Sequence, residues 1–249
     1  NTDVPEIDYV NKIMNCFDES ALELALRLGD AYKLVDEPFE ICALTVGQEK
    51  SERILRSALS LGVGKAVRVE SEGAFRNNPQ AVAAVIEKAV RHSGPYDILL
   101  FGMQAGEYDN GQTGLIVAEA LQLPCITQVM HIARAEGGVA VTHQTDRGTE
   151  VLHVTPPVVL VVGNTEDASL RIPTLKEKLA AREKSIEIVR LSDLGLDVRT
   201  LAERDKRKSS RLFTQTRRHV ACEWIEGASG REKAQALYEK ITEFTQIGR

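Results

Sequence analysis

The residues best suited to binding a ligand lie in a glycine-rich loop between a predicted strand and a predicted helix. The loop runs from Gly102 to Gly114 and has the sequence GMQAGEYDNGQTG. Ligands of open parallel sheets bind at the carboxyl ends of strands, and a following helix offers unpaired N–H groups that suit a phosphate. We expect Gly111 and Gly114 to let a ligand approach the backbone and Thr113 to donate a hydroxyl. Because a phosphate would repel Asp109, we expect this residue to cap the helix or bind a sugar hydroxyl.

The loop has none of the common nucleotide signatures. It matches neither GxGxxG nor GxxxxGK[ST], so an ordinary dinucleotide or P-loop site is not supported. A surface turn punctuated by glycines explains the same residues equally well. The chain also has no HExxH or GxSxG motif, and its histidines and cysteines lack metal-site spacing. With no evident base, nucleophile or metal site, we expect any redox chemistry to belong to a bound cofactor.

Two other junctions between predicted elements point to the same kind of site. Asn15 and Phe17 lie at the entry to the first predicted helix, and Thr45 and Val46 end the first predicted strand. If all three junctions share one edge of the sheet, Asn15 and Thr45 supply polar contacts. Phe17 and Val46 then supply apolar walls for a base. This is an adenine-nucleotide site in outline, although simple caps and turns would use the same residues.

The elements that position these residues alternate along the first two-thirds of the chain. The predicted strands are 39–46, 65–69 and 96–101, and the predicted helices are 18–28, 51–61, a helix from 78, and 112–121. Strands separated by such helices predict a parallel sheet. After Pro124, the predicted strands are 126–135, 139–145, 149–154 and 157–162, with hairpin signals at 137–138 and 146–148. A helix over 174–182, an extended arm from 191, and a final helix over 231–244 complete the predicted α/β fold.

Composition excludes several classes of protein. The 249 residues carry a net charge of -5, which argues against a nucleic-acid-binding surface. No apolar run approaches the roughly 20 residues that span a bilayer. The four cysteines lie far apart and favour reduced thiols. Since the first residues do not resemble a signal peptide, we expect an intracellular, cytoplasmic protein.

Several segments, taken in order, resemble the β subunit of the electron-transferring flavoproteins. They are Ile13–Asp18 with Ala21–Glu23, Leu55–Val63, Asp97–Gly102, Gln104–Ala105 with Gln112–Gly114, Leu123–Pro124, Pro156–Val159 and Asp193–Gly195. The first is similar to the family's Asn-Pro-aromatic-acidic helix entry, the second to its R-x-AL-x-x-G segment, and the third and fourth to its nucleotide loop. No single motif decides the resemblance, but their order across about 180 residues is hard to obtain by chance.

The resemblance implies a Rossmann-like domain that pairs with a larger α subunit. We expect a nucleotide-binding α/β domain over residues 1–190, with a mainly parallel sheet and antiparallel hairpin additions. Residues 191–249 would form an extended C-terminal arm and helix that pack on the α subunit. The cofactor-binding residues implied are Asn15, Cys16, Phe17, Asp18, Thr45, Val46, Gly102, Gln104, Tyr108, Asp109, Asn110, Gly111, Gln112, Thr113 and Gly114.

The resemblance also implies partners. The crevice would hold either FAD or a structural AMP, and FAD-containing relatives use it to split the electron pair of NADH between two acceptors. Arg171, Pro173, Thr174 and Leu175 match the recognition loop that docks an acyl-CoA dehydrogenase or related flavoenzyme, with Leu175 as the apolar anchor. A leucine that merely begins the following helix is the simpler interpretation of that residue.

The sequence departs from the family pattern at several places. The family begins with a V-x-x-K-x-V-P strand that would precede this chain, so we expect a truncation or a lost nucleotide contact. Cys16 replaces a proline and Met103 replaces a basic residue, which leaves FAD and AMP both open. Because Arg211–Gly227 resembles the anaerobic bacterial members, we favour FAD and electron bifurcation.

Three alternative functions remain. They are a non-bifurcating β subunit with AMP, a stand-alone stress-type module that binds ATP as a homodimer, and an NAD-dependent enzyme with its own active site. The C-terminal arm argues against the second, and the missing fingerprint argues against the third.

Overall fold

The protein contains an α/β unit and a smaller second unit. The computed structural model describes residues 11–71, 78–106, 109–165, 168–202 and 222–247. The α/β unit is Ile7–Lys208, and the other unit comprises Asn1–Glu6 with Ser209–Arg249. In the described ranges, the helices are α1 (Cys16–Lys33), α2 (Glu52–Ser60), α3 (Pro79–Ser93), α4 (Thr113–Leu121), α5 (Leu175–Glu183), α6 (Val198–Ala202) and α7 (Gly230–Ile247). The strands are β1 (Cys42–Gly47), β2 (Lys65–Glu70), β3 (Ile98–Gly102), β4 (Cys125–Ala135), β5 (Gly138–Thr145), β6 (Gly148–Val154), β7 (Val158–Val162) and β8 (Glu187–Val189).

The strands form two sheets dominated by parallel pairing. One sheet has the order β1-β2-β8, and both of its pairs are parallel. The other has the order β3-β7-β4-β5-β6, in which β3, β7 and β4 are parallel and the hairpins β4-β5-β6 are antiparallel. The predicted α/β class, with parallel strands and antiparallel hairpin additions, is therefore confirmed. The division into two sheets was not predicted, because hydrophobic patterns do not specify which strands pair.

Helices cover the faces of both sheets and bury apolar side chains there. Leu24 and Leu28 of α1 pack with Val129, Val141 and Leu160 of the five-stranded sheet, all essentially inaccessible to solvent. Val67 and Val69 of β2 pack against α3. Leu194 and Leu201, in the segment after β8, are buried in the same cluster. This burial of apolar surface fixes the helices on the sheets.

The ends of the helices follow local sequence signals. Asn78 accepts a hydrogen bond from the backbone N–H of Ala81 at 3.0 Å, and Pro79 occupies the first turn of α3, as predicted. Helix α1 continues to Lys33, beyond the predicted end at Leu28, and Gly29 within it allows close contact with Phe39. A Cβ atom on Gly29 would lie 3.0 Å from that ring.

The described part of the second unit is a short segment followed by helix α7, close to the predicted helix 231–244. Ser229 and Glu232 form the polar contacts at its start, with the Glu232 N–H donating to Ser229 Oγ at 3.3 Å. Leu237, Tyr238 and Ile241 are exposed. The charged segment 203–218 of the predicted arm lies outside the described residues. None of the helices in the described ranges combines the length and apolar character that a membrane crossing requires.

Candidate functional site

The parallel strands of the five-stranded sheet end at one edge, beside the start of two helices. Gly102 at the end of β3 pairs with Val162 at the end of β7, and Val129 of β4 also pairs with Val162. Helix α1 packs against β3, β7 and β4, and the loop after Gly102 leads into α4. This edge is the position at which open α/β sheets bind ligands.

Two hydrogen bonds join the start of α1 to the end of β3. The Asn15 amide donates to the carbonyl oxygen of Gln104 at 2.7 Å, and the N–H of Gly102 donates to the Asp18 carboxylate at 2.9 Å. A Cβ atom on Gly102 would lie 2.8 Å from the carbonyl carbon of Phe17. Glycine at position 102 is therefore needed for the close approach of α1. The structure thus brings together two of the predicted junctions, the entry to α1 and the glycine-rich loop after β3.

Burial and hydrogen bonding act in opposite directions on the Asp18 carboxyl. Desolvation by the surrounding protein raises the pKa of the Asp18 carboxyl, and hydrogen bonds from the Gly102 N–H and the Asn15 amide oppose that rise. The residue as a whole keeps an exposed surface, so solvent limits the effect. The carboxyl is already engaged by Gly102 and Asn15, which suits a positioning role for Asp18 at this edge.

The loop before α4 leaves the start of that helix without a cap from its own N-cap side chain. Asp109 and Gly111 have left-handed backbone conformations, with φ of 47° and 60°, and the Asp109 N–H donates to the Ala105 carbonyl at 2.9 Å. Gln112, at the N-cap position, makes no side-chain cap hydrogen bond, and Thr113 is half-buried. The leading N–H groups of α4 are therefore not satisfied by Gln112, which leaves them suited to an anion. Tyr108 lies outside the described residues.

Gly114 has a packing role. A Cβ atom on Gly114 would lie 2.9 Å from Val161 Cγ2 and 3.2 Å from Phe101 Cβ. The glycine therefore lets α4 approach β3 and β7 closely, a role that the sequence did not predict. Any larger residue at position 114 would disturb this packing.

The two predicted residues of β1 lie on opposite faces of their strand. Ala43 packs in one core cluster with Met14 and Leu22 of the α1 region. The buried members of that cluster include Leu55 and Leu59 of α2. Since alternate residues share a face, Thr45 lies on the face of β1 that packs against α2. Val46 instead packs with the core cluster of β2 and α3, so its apolar surface is used within the fold.

An open cleft of about 600 Å³ adjoins the end of β1. It is lined by residues after β1 and β2 and by the segment after β8, among them Gln48, Ser71, Arg190 and Ser192. The carboxyl edge of the three-stranded sheet is thus also concave.

Gln128 is a candidate site residue that sequence reasoning missed. It lies in an irregularity of the β4–β7 pairing between Ile126 and Val129, with a left-handed φ of 55°. Its exposed side chain covers Gly163, where a Cβ atom would collide with the Gln128 amide. Strained backbone of this kind is concentrated at functional sites. The sequence contains no signal for it, because a glutamine inside an apolar strand pattern does not indicate a bulge.

The segment before α5 presents apolar side chains to solvent. Ile172 and Leu175 are 88% and 74% exposed, whereas the Arg171 side chain forms ion pairs with Glu23 and Asp30 of α1. Thr174 and Glu177 form a capping box at the start of α5. Of the predicted docking residues, Arg171 and Thr174 thus shape the segment, and Leu175 is free to contact another protein. Ile172 lies within the same segment but was not among the predicted docking residues, because its exposure depends on the tertiary structure.

Comparison with known proteins decides the family. The profile described as "Electron transfer flavoprotein domain" matches residues 6–194, which is most of the chain. The chain belongs to the electron transfer flavoprotein family. It is 34% identical over 196 residues to the electron transfer flavoprotein subunit beta of Mus musculus, covering 77% of this chain and 73% of the mouse protein.

Bacterial relatives support the same assignment. The chain is 27% identical over 237 residues to the Escherichia coli protein YgcR, whose name describes an electron transfer flavoprotein subunit. That match covers 94% of this chain and 85% of YgcR. The subunit beta of Mycobacterium tuberculosis is 25% identical over 185 residues, with 74% and 69% covered. As a member of the electron transfer flavoprotein family similar to beta subunits, the chain is a protein of electron transport.

Proposed function

We propose that this chain is the β subunit of a heterodimeric electron transfer flavoprotein and that its crevice binds an adenine nucleotide. The crevice is the space bordered by the start of α1, the end of β3 and the start of α4. The observation that carries the proposal is the pair of hydrogen bonds from Asn15 to Gln104 and from Gly102 to Asp18. These bonds join the start of α1 to the end of β3 and to the loop that leads into α4. The match to the family over residues 6–194 supports the same role.

The described residues of the crevice fit an adenylate. Gly111 adopts a conformation that favours glycine, and the Gln112 side chain leaves the start of α4 uncapped. A phosphate would accept hydrogen bonds from the leading amides of α4 and from the Thr113 hydroxyl. The Asn15 amide holds the loop in position. We include Thr45 as a further polar contact from the end of β1. Exposed Asp109 is available for a sugar hydroxyl.

We further propose that the nucleotide is FAD and that the complex is of the bifurcating type, with NADH as electron donor. Bound FAD supplies the redox chemistry because a flavin exchanges one or two electrons, and the protein binds, orients and shields it. The preference for FAD over AMP comes from Arg211–Gly227, of which residues 211–221 lie outside the described ranges. A structural AMP in the same crevice is the alternative, and it would supply no redox chemistry.

The proposed partners use two surfaces. Residues 171–175 would dock an acyl-CoA dehydrogenase or related flavoenzyme through the exposed side chains of Ile172 and Leu175. Helix α7, with exposed Leu237, Tyr238 and Ile241, would pack on the α subunit as the end of the C-terminal arm. Exposed aliphatic and aromatic side chains of this kind are common anchors at protein interfaces. We place the complex in the cytoplasm.

The proposal is tested by identifying the nucleotides of the complete complex. The chain is co-produced with its α subunit, purified, denatured, and its ligands are counted by mass spectrometry. We expect a yellow heterodimer that releases one FAD from each subunit. One FAD together with AMP would overturn the FAD assignment and retain the β-subunit role. A heterodimer without nucleotide in the crevice, or a homodimer that binds ATP without an α subunit, would overturn the proposal.

A further inference from the structure

We propose that Arg171 is a positioning residue that holds Ile172 and Leu175 in shape for docking a flavoenzyme. The inference rests on the proposed function, since it concerns how the docking segment of that function is fixed. Arg171 immediately precedes Ile172, and the two docking side chains are separated by Pro173 and Thr174.

Arg171 is fixed to α1 by an ion-pair network, here called the α1 clamp, formed by Arg171, Glu23 and Asp30. Its Nη2 and Nε donate to the two carboxylate oxygens of Glu23 at 3.0 and 3.1 Å, and its Nη1 donates to Asp30 at 2.8 Å. The backbone N–H of Arg171 also donates to Glu23, at 3.1 Å. One carboxylate therefore holds both the side chain and the main chain of the residue that leads into the docking segment.

The α1 clamp is ionised and geometrically specific. Glu23 is only 4% exposed; burial would raise its pKa, but hydrogen bonds from Arg171 and Arg27 outweigh that effect and lower the pKa of its carboxyl. The hydrogen bonds that the Arg171 guanidinium donates to Glu23 and Asp30 raise its pKa, so both partners remain charged at neutral pH. A planar guanidinium satisfies two carboxylate oxygens at once, whereas a lysine ammonium cannot.

The docking segment is fixed at its other end as well. The Thr174 hydroxyl and backbone N–H both donate to the Glu177 carboxylate, at 2.7 and 2.6 Å. Between these two fixed points, Pro173 has a restricted φ angle. The exposed side chains of Ile172 and Leu175 are thus presented on a backbone that is ordered before any partner binds, which lowers the entropic cost of association.

The helix that carries Glu23 also borders the proposed crevice. Glu23 lies five residues after Asp18 in α1, a rise of about 7.5 Å along the helix. The α1 clamp therefore attaches the docking segment to the same rigid element that contacts the nucleotide loop. This arrangement fixes the position of the docking surface relative to the cofactor.

The test separates positioning from contact and from folding. In the co-purified heterodimer, Arg171→Gln is combined with Glu23→Gln, because the single change would take its main partner from the buried Glu23 carboxylate, which would then pair only with Arg27 among its present charged partners. Arg171→Lys is the milder variant, which keeps the charge but loses the paired hydrogen bonds of the guanidinium to the Glu23 carboxylate. The double variant Ile172→Ala with Leu175→Ala removes the contact itself. The matched control is Arg134→Gln with Glu37→Gln, which removes an exposed arginine–glutamate pair elsewhere on the surface.

The readout is reduction of the heterodimer by an acyl-CoA dehydrogenase of the source organism, at increasing heterodimer concentration. We expect the Arg171→Gln/Glu23→Gln variant to raise KM for the heterodimer roughly 3- to 10-fold, with kcat and flavin content unchanged, as expected for a loss of preorganisation. Arg171→Lys should show a smaller rise in KM, and the control should match the wild type.

Each outcome decides a specific point. An unchanged KM in both Arg171 variants, with a raised KM in the Ile172/Leu175 variant, would overturn the positioning role and leave the proposed function intact. An unchanged KM in the Ile172/Leu175 variant would overturn the docking surface and the α1 clamp's role together. If the dehydrogenase fails to reduce the wild-type complex, the partner named in the proposed function is wrong, and the role of the α1 clamp is overturned with it. Loss of flavin from the Arg171 variants would show a general structural defect and would also overturn the proposal.

Discussion

Helices α4 and α5 begin in opposite ways, although each has nine residues. The start of α5 is closed by the capping box of Thr174 and Glu177, so the chain satisfies its own backbone groups there. The start of α4 receives no cap from the Gln112 side chain. A helix end that its own sequence does not close is suited to a ligand, and a closed one is suited to fixing a surface.

The two helices also differ in how they contact the rest of the fold. Gly114 lets α4 lie close to Phe101 and Val161, so the sheet fixes the position of that helix. Helix α5 buries Ala181 and exposes much of its remaining surface, including Leu175 and Leu179. One helix is therefore held rigidly beside the crevice, and the other presents side chains outward.

The largest expected effect comes from adding a negative charge at the start of α4. Thr113→Glu should reduce the nucleotide content of the purified heterodimer roughly tenfold or more, because a carboxylate would stand where a phosphate is proposed. A glutamate in the first turn is compatible with the helix dipole, so folding should be retained. The measurement is nucleotide released per heterodimer, by mass spectrometry.

The control for this change lies on the same helix. Ala120→Glu adds the same charge about two turns away, on an exposed residue, and should leave the nucleotide content at the wild-type level. Equal nucleotide contents in the Thr113 and Ala120 variants would mean that the start of α4 does not contact the phosphate.

A smaller effect is expected at α5, and it concerns stability instead of nucleotide binding. Thr174→Ala removes the hydroxyl that accepts from the Glu177 N–H at 3.3 Å, and should lower the free energy of unfolding by about 1 kcal/mol. Nucleotide content should not change. Urea unfolding followed by circular dichroism measures the difference, with Thr174→Ser as the variant that retains the hydroxyl. A loss of nucleotide in Thr174→Ala would remove the distinction drawn between the two helix starts.

The smallest effect concerns pH. Hydrogen bonds from the Thr174 hydroxyl and backbone N–H lower the pKa of the Glu177 carboxyl below its ordinary value of 4.5. Its contribution to stability is therefore complete above pH 4.5 and decreases as the pH falls through the lowered pKa. Glu177→Gln keeps a capping side chain, but between about pH 5 and 3 this variant should lose less stability than the wild type. The free energy of unfolding is measured with urea at several pH values. An equal decrease in the wild type and the variant would contradict the assigned role.

Local patterns were sufficient to predict most helices and strands. The Asn78–Pro79 helix start, the turn residues 137–138 and 146–148, and the apolar runs of β3 and β7 all depend on neighbours in the chain. The three-residue strand β8 and the short helix α6 were missed. β8 is only a strand because it pairs with β2, with Val67 opposite Glu187.

The candidate site was predictable in part. The sequence indicated the glycine-rich loop and the start of α1, but it could not assign each glycine its role. Gly111 has a left-handed backbone conformation that favours glycine. Gly102 and Gly114 instead permit close contacts with Phe17 and Val161. Gln128 was missed because only the pairing of β4 with β7 creates its bulge.

The sequence by itself determined the α/β class, the positions of most elements and the family to which the chain belongs, since these depend on local periodicity and on motif order. Only the tertiary structure decided which distant groups meet. Glu23 and Arg171 are 148 residues apart in the chain, and Asn15 and Gln104 are 89 apart. Such contacts depend on how helices pack on sheets, and no local pattern of residues encodes that geometry.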